Sequence, residues 1–373
     1  MTRLQRADVQ RIRMASQMLA PAPAPAPATA TATATADATP QTVAAWFGAL
    51  QAQDLPAALW AFGVRLPGVD RSAVEAAVSD GSVLRTWAMR GTLHFVAAED
   101  ARWLLATAGV RALNTDSQRW RTLGLDQATA DAAVDAFRSA LDGTRLLTRS
   151  AMLAALQGAG ISPEGQRGYH LLWYAAQVGV TCVGPNQDQE QTYALLEQWA
   201  PHQRDLRGEH ALAELAVRYF RSHGPATQQD FQRWTGLTAA ASRTGIAAAG
   251  GALTACDVAG TAMLAAPATL DALPEGPVVR LLPAFDEFVI GYKDRSPFIP
   301  PERMDAVVPG NSGVFRPSVL VDGSIIGTWS RATTKRGVRV RVDYFERPTS
   351  GVAAAVDAEV QRYAAYLEVP LLP

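Results

Sequence analysis

Between Thr42 and Ala97 the chain runs through three short helix-forming segments and then two β-rich ones, an order that restricts the fold more than any other feature. Val43, Trp46, Phe47 and Leu50 lie at helical spacing, so Thr42 to Gln53 is predicted to be an amphipathic helix with Gln51 and Gln53 off its apolar face. Leu55-Pro56 predicts its end. Ala57 to Phe62 and Arg71 to Ser79 are the next predicted helices, the latter closed by Asp80-Gly81. Val83 to Met89 and Thr92 to Ala97, rich in Val, Thr, Trp and Phe, are predicted strands joined by Arg90-Gly91. Helix, helix, helix, hairpin is the order of a winged helix.

The same order can be laid over two further stretches. Predicted helices at Asp131 to Leu141, Arg149 to Gly158 and Tyr169 to Gln177 precede a strand at Val178 to Val183. Predicted helices at Ala211 to Ser222, Thr227 to Trp234 and Ala239 to Ala249 precede strands at Leu253 to Val258 and Thr261 to Leu264. The repetition is of pattern, with no residue identity between the sets. Beyond them, Val278 to Leu282, Phe288 to Tyr292, Val314 to Val321, Ser324 to Ser330 and Val338 to Tyr344 are predicted strands, with Asp322-Gly323 as a hairpin turn and a last helix from Val352 to Leu367.

The expected class is therefore α+β: about three tandem winged helices with a β-rich C-terminal module and a terminal helix. The expected divisions are a basic N-terminal helix (1–19), a Pro/Ala/Thr linker (20–40), winged helices at 41–125, 126–205 and 206–270, and the β-rich module at 271–373. Alternating Pro and Ala, then Thr and Ala, between Ala20 and Pro40 gives that segment nothing to bury, so it is expected to be disordered.

With 48% hydrophobic and 18% charged residues, the chain is expected to be globular. A formal net charge of -1 confines any nucleic-acid-binding surface to a local patch. No stretch of 18 uninterrupted apolar residues predicts a membrane span, and the N-terminal segment is too short and polar for a secretory signal. Cys182 and Cys256, widely separated and without CxxC spacing, are expected to be reduced thiols of a cytoplasmic protein. No phosphate-binding glycine loop, nucleophile elbow or HExxH metal motif is present, and the histidines lack metal-ligand spacing, so neither metal nor cofactor is expected.

Four stretches remain as candidates for chemistry. Gln51 and Gln53, one residue apart, are either a polar helix end or paired amides of a reaction centre, and Asp54 beside them either caps the next helix or assists a water. The predicted hairpin carries Arg85, Trp87, Arg90 and His94; it could enter a DNA groove, or Trp87 could pack in the core. Trp329 to Arg341 holds Arg331, Lys335, Arg336, Arg339 and Arg341 without an acidic residue. Alternation puts Arg339 and Arg341 on one strand face, which fits phosphate binding and charged edge protection equally. Asp286-Glu287, near Lys293, Asp294 and Arg295, offers paired carboxylates for acid/base work or a structural ion pair.

Three blocks carry a family resemblance: Gly48-Ala49-Leu50-Gln51-Ala52-Gln53, the run from Leu84 to His94, and the run from Leu281 to Arg295. Together they resemble the winged-helix DNA-binding domain-containing proteins, which include the AlkZ-like DNA glycosylases that unhook bulky alkylation and interstrand crosslinks. The resemblance implies tandem winged helices and, through Gln51-Ala52-Gln53, the Gln-x-Gln branch with Gln51 and Gln53 catalytic. It implies double-stranded, especially alkylated, DNA as partner; the residues read above as candidates to hold it are Arg85, Trp87, Arg90, His94, Lys293, Arg331, Lys335, Arg336, Arg339 and Arg341, with Asp54 and Asp286 as possible accessory groups. A monofunctional glycosylase acting as a monomer on N7-alkylated purines in DNA repair is the expectation. The alternatives are a non-catalytic winged-helix regulator and a protein that sequesters a genotoxin.

Overall fold

The computed structural model describes residues 2–20, 38–115, 117–143, 146–270, 273–274 and 276–373, so most of the expected 20–40 linker lies outside the described residues. The chain opens with β1 (Thr2–Leu4) and α1 (Arg6–Ser16). α2 (Pro40–Phe47) starts where Thr39 Oγ1 accepts from the Thr42 N–H and Pro40 supplies a preset φ. It stops six residues before Gln53, because Gly48 turns the backbone to φ 82. The long helix predicted over Thr42 to Gln53 is therefore corrected: after Gly48 the chain is extended, and Leu50–Gln51 form a short strand, β2. Period alone missed this because Leu50 falls in helical phase with Val43 and Phe47 although a glycine stands between them.

α3 (Leu55–Gly63), α4 (Arg71–Ser79), β3 (Val83–Met89) and β4 (Thr92–Ala97) follow. Arg90 (φ 52) and Gly91 (φ 70) both take positive φ between β3 and β4, the backbone of a tight two-residue hairpin turn. Short helical turns follow over residues 98–115 and 117–122. Then come α5 (Gln127–Leu141), β5 (Leu147–Thr148), α6 (Arg149–Gly158), α7 (Arg167–Gln177), β6 (Thr181–Val183) and β7 (Thr192–Leu195). The strands of these two regions join one six-stranded sheet in the order β2-β4-β3-β6-β7-β5, with Arg85 opposite Val183 at the junction.

The third region comprises α8 (Gly208–His223), α9 (Gln228–Thr235), α10 (Ala239–Ala249), β8 (Thr254–Val258) and β9 (Thr261–Ala265). β1 pairs in parallel with β8, and buried Arg13 of α1 donates twice to the Pro225 carbonyl, so the N-terminal helix is fastened to this region.

The C-terminal part is an antiparallel sheet of β10 (Val279–Leu282), β11 (Ser318–Val321), β12 (Ser324–Thr334) and β13 (Gly337–Tyr344), closed by α12 (Ser350–Tyr366). Between β10 and β11, Phe288 to Tyr292 was predicted as a strand and is instead a helical turn, α11 (Glu287–Ile290). Asp286 Oδ1 accepts from the Phe288 N–H and starts that turn, a local bond that outweighs β-propensity. The architecture is thus mixed α+β with three sheets among the described residues.

A large core runs from Met14 and Phe47 through Leu84, Phe95 and Tyr219 to Tyr363, while a second gathers Trp87, Phe137 and Leu171 of the α5–α7 region. Where α3 meets α12, Trp60 packs edge-on against Tyr363, and its Nε1–H donates to the Leu281 carbonyl at 2.7 Å. Burying a large apolar side chain stabilises the fold by about 1.5–3 kcal/mol, so the aromatic column ties the C-terminal sheet firmly behind β2. Among the described residues no helix is long and apolar enough to cross a membrane.

Candidate active site

The Gln51-Ala52-Gln53 segment leaves α2 at Gly48 and runs along β4, with Gln51 opposite His94. Three of its main-chain groups are held. Gln51 N–H donates to Glu287 Oε1 at 3.0 Å, and Ala52 N–H donates to the Leu93 carbonyl at 2.8 Å. Arg85 donates from Nε and Nη2 to the Ala52 carbonyl at 3.0 and 2.8 Å. β2 ends at Gln51, and the chain bends at Gln53. Gln53 is exposed, and its Oε1 accepts from Leu93 N–H at 3.3 Å. Gln51 Oε1 is buried and has no hydrogen-bond partner among the described residues. An unmet buried acceptor of this kind is costly. Asp54 turns to structure: its Oδ1 accepts from Ala57 N–H and caps α3.

The hairpin residues require correction. Arg85, expected to face DNA, is only 7% exposed and turns inward to the Ala52 carbonyl through Nε and Nη2. Burial lowers its guanidinium to about 10, which leaves it charged at neutral pH. Trp87 packs in the second core and His94 is fully buried, so neither presents a groove-reading surface. His94 Nδ1 donates to the Thr92 carbonyl at 2.8 Å, leaving Nε2 as acceptor, with Arg90 Nη2 at 3.5 Å. Burial, and then the nearby Arg90 charge, push His94 down to about 3, so it is neutral. Alternation failed here because β3 is an inner strand covered on both faces.

The Asp286-Glu287 pair splits into two jobs. Asp286 takes a bidentate ion pair from Arg65 at 2.7 and 2.9 Å, both side chains fully buried, so its expected accessory role gives way to an anchoring one. Its partner is Arg65, not the neighbouring Lys293 or Arg295. Glu287, 2% exposed, receives Gln51 N–H on one oxygen; Trp234 Nε1–H at 2.8 Å and His223 Nε2 at 3.4 Å meet the other. Burial opposes its ionisation, but the bonds from His223, Trp234 and Gln51 hold it below the usual carboxylate range. His223 is itself lowered by burial and is neutral at pH 7. A Cβ at Gly291 would collide with the His223 ring, which explains the glycine beside Tyr292, whose hydroxyl donates to the His223 carbonyl. Sequence reasoning missed Arg65, His223 and Trp234 because they lie far along the chain.

The basic stretch divides between packing and solvent. Arg331 is half-buried over the Tyr363 ring at 5.9 Å. Lys335 and Arg336 stand exposed at the turn between β12 and β13. Arg339 and Arg341 are exposed along β13, bonded to the Pro373 carbonyl and to Asp343 respectively. Lys293 lies across a separate cleft of about 520 Å³ with Arg6, Gln10, Arg13 and Asp230, its Nζ donating to Gln229. Both cysteines are free and buried, with Cys182 pushed up to about 12 by burial.

A segment presenting paired neutral amides, with its main chain held by Glu287, Leu93 and Arg85, suits positioning chemistry better than proton transfer. Residues 44–366 match the protein-family model described as DNA glycosylase AlkZ-like. The chain belongs to the AlkZ-like DNA glycosylase family. It is accordingly a DNA glycosylase, a hydrolase of N-glycosyl bonds, and this membership sets aside the non-catalytic regulator. It is 28% identical over 299 residues to an interstrand DNA cross-link repair glycosylase of Streptomyces sahachiroi, covering 75% of this chain and 79% of that protein. The fold matches the Streptomyces sahachiroi DNA glycosylase AlkZ with a TM-score of 0.81 at 24% identity, over 100% of this chain and 99% of that one. AlkZ-like family membership covers all three blocks from which the resemblance was drawn.

Proposed function

We propose that this glycosylase hydrolyses the N-glycosidic bond of N7-alkylated purines, bulky adducts and interstrand crosslinks included, and leaves an abasic site. The buried, unpartnered Gln51 Oε1 beside Gln53 carries the reading. A purine alkylated at N7 already bears positive charge and departs without protonation. The enzyme has then only to hold a water against the anomeric carbon and favour an oxocarbenium-like sugar by fixed dipoles. Gln51 Oε1 accepts from that water, and Gln53, tethered through Leu93, orients it. Such positioning supplies up to roughly 7–11 kcal/mol at its ideal limit. An unmodified purine, needing protonation to leave, is a poor substrate.

The fold divides, in this reading, into tandem winged helices at 41–125, 126–205 and 206–270, and acts as a monomer on duplex DNA. The helix and strand sets of the three regions support the division. Arg90 and the exposed Lys335, Arg336, Arg339 and Arg341 hold phosphates, with Lys293 and Arg331 flanking. Incubating the protein with duplex DNA carrying 7-methylguanine, heating in alkali, and separately detecting released base tests the reaction. Strand breaks and free 7-methylguanine are expected; intact DNA overturns the proposal.

A further inference from the structure

Glu287, like Asp230, is a buried carboxylate held among the described residues without an arginine or lysine ion pair. Asp100 and Asp286, also buried, each face an arginine at hydrogen-bond distance. Glu287 is held by neutral donors: one main-chain N–H, one indole and one imidazole. Among the described residues no arginine or lysine forms an ion pair with it. Its charge is felt by Arg90 and His94 without a direct ion pair, and removing a carboxylate from water on neutral hydrogen bonds is expensive. The backbone that aims it is strained as well, since Phe285, a bulky residue, sits at φ 59 immediately before the Asp286-Glu287 pair. The Arg65–Asp286 ion pair and the bond from the Tyr292 hydroxyl to the His223 carbonyl hold the turn on either side.

What the carboxylate faces is the Gln51 main chain, one hydrogen bond away. A fixed negative charge in a dry setting acts over longer distances than in water and costs no reorganisation when positive charge develops nearby. We propose that Glu287 is a positioning residue that fixes Gln51 and whose buried charge makes the site favour a cationic sugar. The inference rests on the glycosylase reading above. The amides place the water, and the anion beneath them biases the pocket toward the oxocarbenium-like state rather than toward the substrate.

The test compares two DNA duplexes, one carrying a neutral tetrahydrofuran abasic analogue and one carrying a cationic pyrrolidine analogue of the sugar. The parent protein is expected to bind the cationic duplex about tenfold or more tightly than the neutral one. Glu287→Gln keeps a hydrogen-bond acceptor for Gln51 without the charge. It should bind both duplexes equally, with affinity for the neutral one unchanged and base release slowed about tenfold to a hundredfold. Glu287→Asp, which keeps the charge, should retain the preference. A parent that binds both duplexes alike overturns the proposal without any variant, and so does a Glu287→Gln protein that keeps the preference or a Glu287→Asp protein that loses it. Failure of the parent to release base would overturn the proposed reaction on N7-alkylated purines, a separate result.

Discussion

Arg85 donates twice to the carbonyl oxygen of Ala52, the residue between the two glutamines, at 3.0 and 2.8 Å. A side chain with the composition of a DNA contact thus shapes the reaction centre from behind. Removing the guanidinium strands a buried carbonyl and frees the segment to shift. Arg85→Met should destabilise the fold by about 1–3 kcal/mol. It should also slow base release roughly tenfold to a hundredfold, with little change in DNA affinity. Chemical denaturation and single-turnover excision, measured on the same preparation, check both halves.

The Arg65–Asp286 pair is sealed from solvent, so removing one partner leaves an uncompensated charge. Asp286→Ala is expected to cost about 3–5 kcal/mol. Replacing both partners with apolar residues should recover part of that loss, which a double-mutant cycle in urea would reveal.

Exposed Lys335 and Arg336 crown the turn between β12 and β13. If they meet phosphates, the pair Lys335→Gln and Arg336→Gln should weaken binding to all duplexes alike and reduce the slope of log affinity against log salt by about 2. An unchanged slope would remove this turn from the DNA interface.

His94 is pushed down to about 3 in the folded state, against an ordinary 6.5. Between those values the unfolded chain binds a proton at this position that the folded chain refuses. Stability is therefore complete above the unfolded value and falls as pH drops from about 6.5 towards 3, by at most about 1.4 kcal/mol per pH unit. His223, also lowered by burial, pulls in the same direction. Urea midpoints at about pH 7.5 and about pH 5 should differ less in His94→Asn than in the parent.

Much of this architecture could be read from local pattern. Arg71–Ser79, Val83–Met89, Thr92–Ala97 and Arg149–Gly158 form where periodicity and turn residues placed them. The failures have physical causes. Gly48 cuts a helix whose apolar phase continues past it, and Asp286 turns a β-prone run into a helical cap. The site itself is assembled over distance: Glu287 reaches Gln51 across 236 residues, and Arg85 reaches Ala52 across 33. Alternation shows which residues share a strand face, but not that β3 would be covered on both sides and turn Arg85 inward. The glutamine pair was visible; the clamp that gives it a fixed geometry was not.

The central claim is that two neutral amides perform the reaction, and excision of 7-methylguanine under single-turnover conditions tests it most directly. The parent should release the base and leave an alkali-labile site, whereas the Gln51→Ala, Gln53→Ala double variant should still bind the duplex but release base at least about a hundredfold more slowly. A double variant that excises 7-methylguanine as fast as the parent would contradict the account.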